Sequence, residues 1–339
     1  MMAWDKIKIK RDNGECVDAQ APIIVSASRS TDIPAFYADW FFNRLEKGYS
    51  SWTNPFNGVD SYISYEKTRL IVFWSKNPRP LLNYLHILKE KDINCYIQFT
   101  MNDYEDEQLE KGVPLLSERI ETFKKLVNEL GVGRVIWRFD PLVLTDKISV
   151  KDLLRKVEDI GNQLIGYTEK LVFSFADITS YKKVKSNLTS NHINYKEFEE
   201  SDMIEFVEGL VELNKRWGYT LATCGEKIDL DKYNILHNKC VDDELMAKYF
   251  YTDKVLMDFL GIEVYAPDLF NPQPQIVYKK NNKDKGQRAF CGCINSKDIG
   301  QYNTCPHLCE YCYANASKEA AIRNWKKHKE DPYNESILG

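Results

Sequence analysis

The sequence has no long apolar run. Nothing in it approaches the roughly 20 residues that span a bilayer, and the strongest apolar runs are as short as Leu70–Trp74. The first residues, MMAWDKIKIK, contain no apolar h-region and no small-residue cleavage site. A cytoplasmic protein with no membrane partner is the expectation. Excess charge of one sign is also missing: 46 basic side chains face 50 acidic ones, a net charge of −4. That balance argues against a surface built throughout for nucleic acid. No internal repeat of the roughly 20–50 residues that marks solenoids and propellers is visible. Nor is there a long stretch without aromatic and β-branched residues, which excludes disorder for most of the chain.

A chain of 339 residues buries enough surface to hold a core without disulfides. Its length allows one large α/β domain or two ordinary ones. It nevertheless has nine cysteines, five of them crowded between Cys291 and Cys312. In a reducing compartment, clustered cysteines read as metal ligands or redox groups. Cys95 lies in an apolar, strand-like run and reads as a small buried hydrophobe. Cys16, beside a turn, is assigned nothing.

Residues 1–22 alternate Ile7 and Ile9 and then turn at Asp12-Asn13-Gly14, which predicts a hairpin extension. Six β-rich runs follow: Ile23–Ser26, Leu70–Trp74, Cys95–Thr100, Arg134–Phe139, Leu171–Phe175 and Tyr219–Thr223. They are continuously apolar, as in strands buried on both faces. Helix candidates alternate with them at Pro34–Lys47, Pro80–Lys91, Ser117–Leu130, Ser149–Leu164 and Asp202–Trp217. This alternation predicts an α/β fold with a parallel sheet. Six units without an obvious linker suit a complete or partial (β/α) barrel core over 23–275, with a doubly wound open sheet as the runner-up. Residues 276–339 form a cysteine-rich segment expected to complete the barrel.

In such a fold the carboxyl ends of the strands open on one face and carry the chemistry. Here they end in Ser26-Ala27-Ser28-Arg29, Ser75-Lys76-Asn77, Thr100–Asp103, Arg138-Phe139-Asp140, Asp177 and Thr223–Glu226. For Ser28, Thr31 and Asp32 a plain helix-cap role weighs as much as a site role. For Arg138 and Asp140 a functional role is favoured, because opposite charges at a buried strand end are costly unless paired or used. With Asp177 they form the candidate catalytic set.

The segment Thr304–Asn315 holds Cys305, Cys309 and Cys312 at C-x3-C-x2-C spacing. Three thiolates on one loop can hold three corners of a [4Fe–4S] cubane and leave one iron open. An open iron suits substrate binding, whereas electron transfer needs every corner filled.

This motif resembles the signature of the radical S-adenosylmethionine (SAM) enzymes, with Tyr311 at its aromatic position. The resemblance implies that the open iron binds SAM, that reduction cleaves SAM to a 5′-deoxyadenosyl radical, and that Tyr311 packs near the adenine. It also implies a reductant such as ferredoxin or flavodoxin. The motif here follows the other strands. The segment Ile299–Tyr302 would then be the strand that feeds it and Ser317–Lys327 the helix after it, in a circularly permuted barrel. The usual glycine-rich SAM-binding strand motif is not evident. Ser26, Ser28 and Arg29, after the first run, and Lys76, after the second, are its substitutes by position.

The whole chain also resembles the domain-of-unknown-function 1848 family. The similarity rests on Ser26–Pro34, Asn54–Asn57, Phe73–Pro78, Arg138–Pro141 and the Cys291–Asn315 block. It implies a shared fold and no particular reaction. A short likeness to spore photoproduct lyase-like proteins, which repair a thymine lesion in DNA, rests on Arg138–Pro141 and the Cys-Tyr-Ala run.

Four cysteines remain. Cys224 stands at a strand's carboxyl end, Cys240 follows it, and Cys291-Gly292-Cys293 sets two thiols about a glycine that lets the backbone fold tightly. Four thiolates suit a second, closed [4Fe–4S] cluster or a tetrahedral zinc; iron–sulfur ranks first, and buried bystander thiols are the plain alternative. His237 and His307 read as donors behind the ligands. The basic stretch Lys279, Lys280, Lys283, Lys285 and Arg288 offers a nucleic-acid phosphate contact, but such runs are more often solvated loops. Two further readings compete with the iron–sulfur enzyme. One is a zinc-stabilised nucleic-acid-binding protein. The other is a barrel hydrolase using Asp140, Asp177 and Glu226.

Overall fold

The computed structural model describes residues 4–54, 57–265 and 275–339. Pro55 and Phe56, within one of the family-like stretches, lie outside the described residues. The chain first forms β1 (Lys6–Lys10) and β2 (Cys16–Gln20), the predicted hairpin. Next come β3 (Ile24–Ala27), α1 (Ile33–Phe36), α2 (Ala38–Lys47), β4 (Tyr49–Thr53), β5 (Asp60–Ser64), β6 (Leu70–Ser75), α3 (Leu85–Glu90), β7 (Asn94–Thr100), α4 (Leu116–Leu130) and β8 (Val135–Leu142). After a short β9 (Leu144–Thr145) follow α5 (Val150–Gln163), β10 (Lys170–Phe175), α6 (Lys182–Ser190), β11 (Tyr195–Lys196), α7 (Glu200–Trp217), β12 (Thr220–Thr223) and β13 (Leu236–His237). The last elements are α8 (Asp243–Phe250), α9 (Lys254–Leu260), β14 (Ile262–Tyr265), β15 (Gln275–Tyr278), β16 (Lys297–Asp298) and α10 (Lys318–Glu330).

Eight strands make one sheet in the order β16-β3-β6-β7-β8-β10-β12-β13, and every pairing in it is parallel. From β3 onward the spatial order is the chain order. The exception is β16, which comes last in the chain and lies first in the sheet, with Lys297 opposite Val25 and Asp298 opposite Ser26. Among the described residues no strand pair joins β13 back to β16, so the sheet is open. The N-terminal hairpin is more than an extension: β2 pairs with β5, and a second sheet forms in the order β1-β2-β5-β4. No described helix is long and apolar enough to cross a membrane.

The large sheet is buried on both faces, which is why its strands read as continuously apolar. Alternate residues divide between two cores. Val25, Phe73, Ile97, Phe99, Trp137 and Phe173 face a core shared with α2, α4, α5 and α7. Ile24, Leu70, Val72, Tyr96, Ile136 and Val172 face a second core filled by Met246, Phe250, Met257 and Leu260 of α8 and α9. The predicted helix Pro34–Lys47 is broken at Tyr37, whose backbone leaves the helical region and whose hydroxyl donates to the Thr304 carbonyl at 2.6 Å. The strand expected at Ile299–Tyr302 is instead Lys297–Asp298. Gly300 explains the displacement: a Cβ there would lie 1.7 Å from Ser28 Oγ. Beyond it the backbone amide of Gln301 is taken by Thr31 Oγ1 at 2.9 Å, so the chain leaves the strand path.

Candidate metal centre and active site

The three-cysteine loop leaves β16 at the same end as the carboxyl termini of β3, β6, β7 and β8. It is tied down from several elements. Asp32 caps α1 by accepting from the Ala35 amide at 3.0 Å, which is the plain role the sequence offered it. Its carboxylate also accepts from Ser75 Oγ at 2.6 Å and the Lys76 amide at 2.8 Å, and faces His307 Nε2 at 2.7 Å. His307 Nδ1 meets the Gly112 carbonyl at 2.9 Å, an acceptor only, so that nitrogen carries a proton. Both ring nitrogens are thus engaged, and His307 stands behind the cysteines. Burial would raise the Asp32 carboxyl, but His307, Ser75 and the Lys76 amide outweigh it and hold the pKa below its ordinary value. Gly112 is needed here: a Cβ would meet the His307 and Pro306 carbonyl oxygens at 2.7 and 2.8 Å.

Tyr311 is buried beside Tyr104. Its hydroxyl accepts from Lys76 Nζ at 2.9 Å and Asn102 Nδ2 at 3.0 Å, and donates to Glu110. Lys76 and Glu110 pair at 2.6 Å, with Arg119 at 3.7 Å from the second carboxylate oxygen. Burial alone would raise Glu110, but Lys76 and Arg119 bring it down to about 2. Burial likewise opposes the Lys76 charge, and Glu110 overcomes it, so the Lys76 pKa is raised. Sequence reasoning found Lys76 and Tyr311. It missed Glu110 and Asn102, because Glu110 ends an acid-rich run that looks solvated.

Arg138 and Asp140 do pair, on the same side of β8 as Ile136 of the second core. Arg138 Nη1 also donates to Gln98 Oε1 and Cys240 Sγ, both at 3.1 Å. Asp140 accepts from Ser174. Burial raises the Asp140 carboxyl, but Arg138 and Ser174 overcome it and leave the pKa lowered. Ser26 Oγ and the Arg29 amide donate to Asp298 of β16 at 2.8 and 3.0 Å, while Ser28 accepts from the Ser30 amide at 3.2 Å. Asp177 is exposed and accepts from the Ser180 amide at 3.2 Å, as a turn cap does. Glu226 accepts from the Phe175 amide at 3.0 Å, and burial pushes its carboxyl up to about 7. The basic stretch is dispersed: Lys279 pairs with Glu263 at 3.1 Å, and Lys283 donates to the Ala289 carbonyl at 2.7 Å.

The other four cysteines also meet. Cys224 and Cys240 have their sulfurs 3.5 Å apart, and the Cys240 and Val241 amides donate to Cys293 Sγ at 3.2 and 3.5 Å. Cys95 is buried in the outer core and Cys16 is exposed. His237 lies on β13 and is exposed. Among the described residues no group of three or more His, Cys, Asp or Glu side chains is already set round one point as a metal would hold it.

The donor chemistry of the three-cysteine loop fits a metal cluster. Burial pushes the Cys305 thiol up to about 12, with Asp32 and Cys312 adding to it, and Cys309 well above its ordinary value. Lys76 favours the Cys309 thiolate but does not outweigh burial, and a bound metal ion would supply the positive charge that the loop's three thiolates need. The fold and site together define an α/β protein whose polar and sulfur-bearing residues gather at the carboxyl ends of a parallel sheet. The model of the family described as "Domain of unknown function (DUF1848)" matches residues 24–314, and the chain belongs to that family. No curated protein and no solved structure matches the chain.

Proposed function

We propose that this is a radical SAM-type enzyme built on a partial, open (β/α) barrel that is circularly permuted. The observation that carries the reading is the place of β16. It lies beside β3 at the start of an otherwise sequential sheet, and the cysteine loop leaves it at the carboxyl-end face. With α10 behind it, the segment forms one more β-loop-α unit, moved to the end of the chain. Cys305, Cys309 and Cys312 would hold a [4Fe–4S] cluster with one open iron. When bound, the cluster supplies the electron that cleaves SAM to a 5′-deoxyadenosyl radical, which takes a hydrogen atom from the substrate.

The chain's own residues set the surroundings. Asp32, His307 and Gly112 hold the loop's backbone in place. Lys76, held charged by Glu110, puts a cation near Cys309 and would offset thiolate charge there. Arg138, Asp140 and Ser174 stand toward the carboxyl ends of β8 and β10, where a substrate would lie. A ferredoxin or flavodoxin would supply the electron. The hydrolase alternative keeps one observation: burial raises the Glu226 carboxyl to about 7, and Asp140 and Asp177 both add to the rise. The C-terminal cysteines are packed against the sheet rather than held in a separate finger, so the nucleic-acid-binding alternative gains no support.

The test is anaerobic reconstitution with iron and sulfide, followed by reduction in the presence of SAM. The expected outcome is about four irons on this loop and release of 5′-deoxyadenosine. Cys309→Ala should abolish the release; normal turnover in that variant would sink the reading.

A further inference from the structure

The four remaining thiols come from three places. Cys224 ends β12, Cys240 follows β13, and Cys291 and Cys293 precede β16. These segments belong to the two open edges of the eight-stranded sheet. They meet on the face of the sheet that carries the second core, where Tyr96 Oη and Gln98 Nε2 of β7 donate to the Cys240 carbonyl at 2.8 and 3.0 Å. The Ile294 amide then donates to the Val241 carbonyl at 3.1 Å, joining the chain after β13 to the chain before β16.

We propose that Cys224, Cys240, Cys291 and Cys293 bind a single tetrahedral metal ion of the zinc class, which clasps the two edges of the sheet together. One sulfur–sulfur spacing favours a single ion over a cubane. A tetrahedron with metal–sulfur bonds of about 2.3 Å sets its sulfurs about 3.8 Å apart. The Cys224–Cys240 separation of 3.5 Å is close to that. A cubane places its cysteines on four different irons and so holds them farther apart. The hydrogen bonds also fit thiolates. Cys293 Sγ accepts from two backbone amides, and Cys240 Sγ accepts from Arg138 Nη1 at 3.1 Å and Asn238 Nδ2 at 3.4 Å. Thiolates are far better acceptors for such donors than thiols are.

Two guanidiniums reach the same place with donors to spare. Arg29 Nη2 and Arg138 Nε are buried and have no hydrogen-bond partner. A divalent ion with four thiolates is a net anion, and buried cations offset it. Gly292 lets the loop close: a Cβ there would sit 2.9 Å from the Lys239 side chain and 3.5 Å from the Asn238 carbonyl. On binding, the four thiols lose their protons to solvent as the four metal–sulfur bonds form. A disulfide between Cys224 and Cys240 would leave the Cys291-Gly292-Cys293 turn and its amide donors unused.

The inference does not depend on the three-cysteine loop carrying a cluster, and the test separates the two. The full chain with Cys305→Ala, Cys309→Ala and Cys312→Ala is purified anaerobically and loaded with zinc or cobalt(II) alone. About one zinc per chain is expected, without sulfide. Cobalt should give the intense d–d bands of tetrahedral thiolate coordination. Adding Cys291→Ser and Cys293→Ser should remove both signals. If that variant fails to fold, the zinc content and cobalt spectrum of the triple-alanine chain decide alone. A second iron–sulfur cluster in that chain would overturn the proposal. So would a triple-alanine chain that takes up no metal, whether its six remaining thiols stay free or two of them form a disulfide.

Discussion

Glu110 shows what a single buried charge does here. It neutralises Lys76, which is partly exposed, and meets Arg119, while Glu110 and Arg119 are themselves almost fully buried. Glu110→Gln leaves two cations without their carboxylate, which costs about 3–5 kcal/mol. The pH dependence has a definite sign. The folded carboxyl, at about 2, lies below the ordinary value of 4.5. Its stabilising effect is therefore complete above 4.5 and is lost as pH falls toward 2. Urea unfolding at a series of pH values should show a wide gap between wild type and Glu110→Gln at pH 7, narrowing below 4.5. A gap that is constant with pH would mean that Glu110 is not held ionised. Arg138 and Asp140 were legible because opposite charges are costly to bury without a use, the cysteines by their spacing, Tyr311 by its place in their motif, and Lys76 by its place after a strand end. Glu110, Asn102 and the second role of Asp32 were not. Their partners come from distant chain segments, and nothing local distinguishes them from loop and cap residues. Asp177 misled for the converse reason: its place after a strand end looked chemical, but its carboxylate only caps a turn.

At the scale of elements, the six predicted strands stand within a residue or so of their expected ends at the starts and within three at the carboxyl ends, because burial on both faces leaves an uninterrupted apolar signal. The errors fall where a tertiary contact overrides local preference. Tyr37 breaks one helix to reach Thr304, and Gly300 turns the chain off the strand path beside Ser28. The fit of the cysteine loop is equally close at Gly112. Gly112→Ala pushes a methyl group into the Pro306 and His307 carbonyls, so the backbone of the loop must move. We expect a loss of about 1–3 kcal/mol, as for other overpacked sites, together with reduced iron on reconstitution. The zinc-type site, which Gly112 does not touch, should keep its metal. A variant with unchanged melting and unchanged iron would show that the loop has slack at this point.

At the scale of the molecule, the unusual feature is that the last sheet strand in the chain is the first in space. The apolar runs foretold the sequential strands, and the position of the cysteine motif foretold that a first strand of the sheet comes late in the chain. The filling of the second core was not legible. It comes from α8, α9 and the cysteine segments between residues 238 and 294, where short elements leave weak periodicity. The chain order can be rearranged to match the order in space. Arg11 and Glu335 pair at 3.0 Å, so the N-terminal hairpin lies against the C-terminal segment, and a flexible linker long enough to run back along β1 can join the ends. Lys285 and Gly286 are exposed and offer new termini. Such a chain begins with Cys291 and Cys293, then β16, the cysteine loop and α10, and its strands follow one another in space from first to last. If packing of β16 on β3, rather than its late arrival, determines the fold, the permutant should unfold cooperatively. Its cost should be no more than about 2 kcal/mol, the order of a change in loop closure. The connection it cuts runs between the two edges, so the edges would then be held by side-chain packing and the four-thiol site. Chelation should accordingly lower its melting temperature more than that of the natural order. A permutant that is insoluble, or that melts without cooperativity, would show that β16 must be added to a sheet already formed.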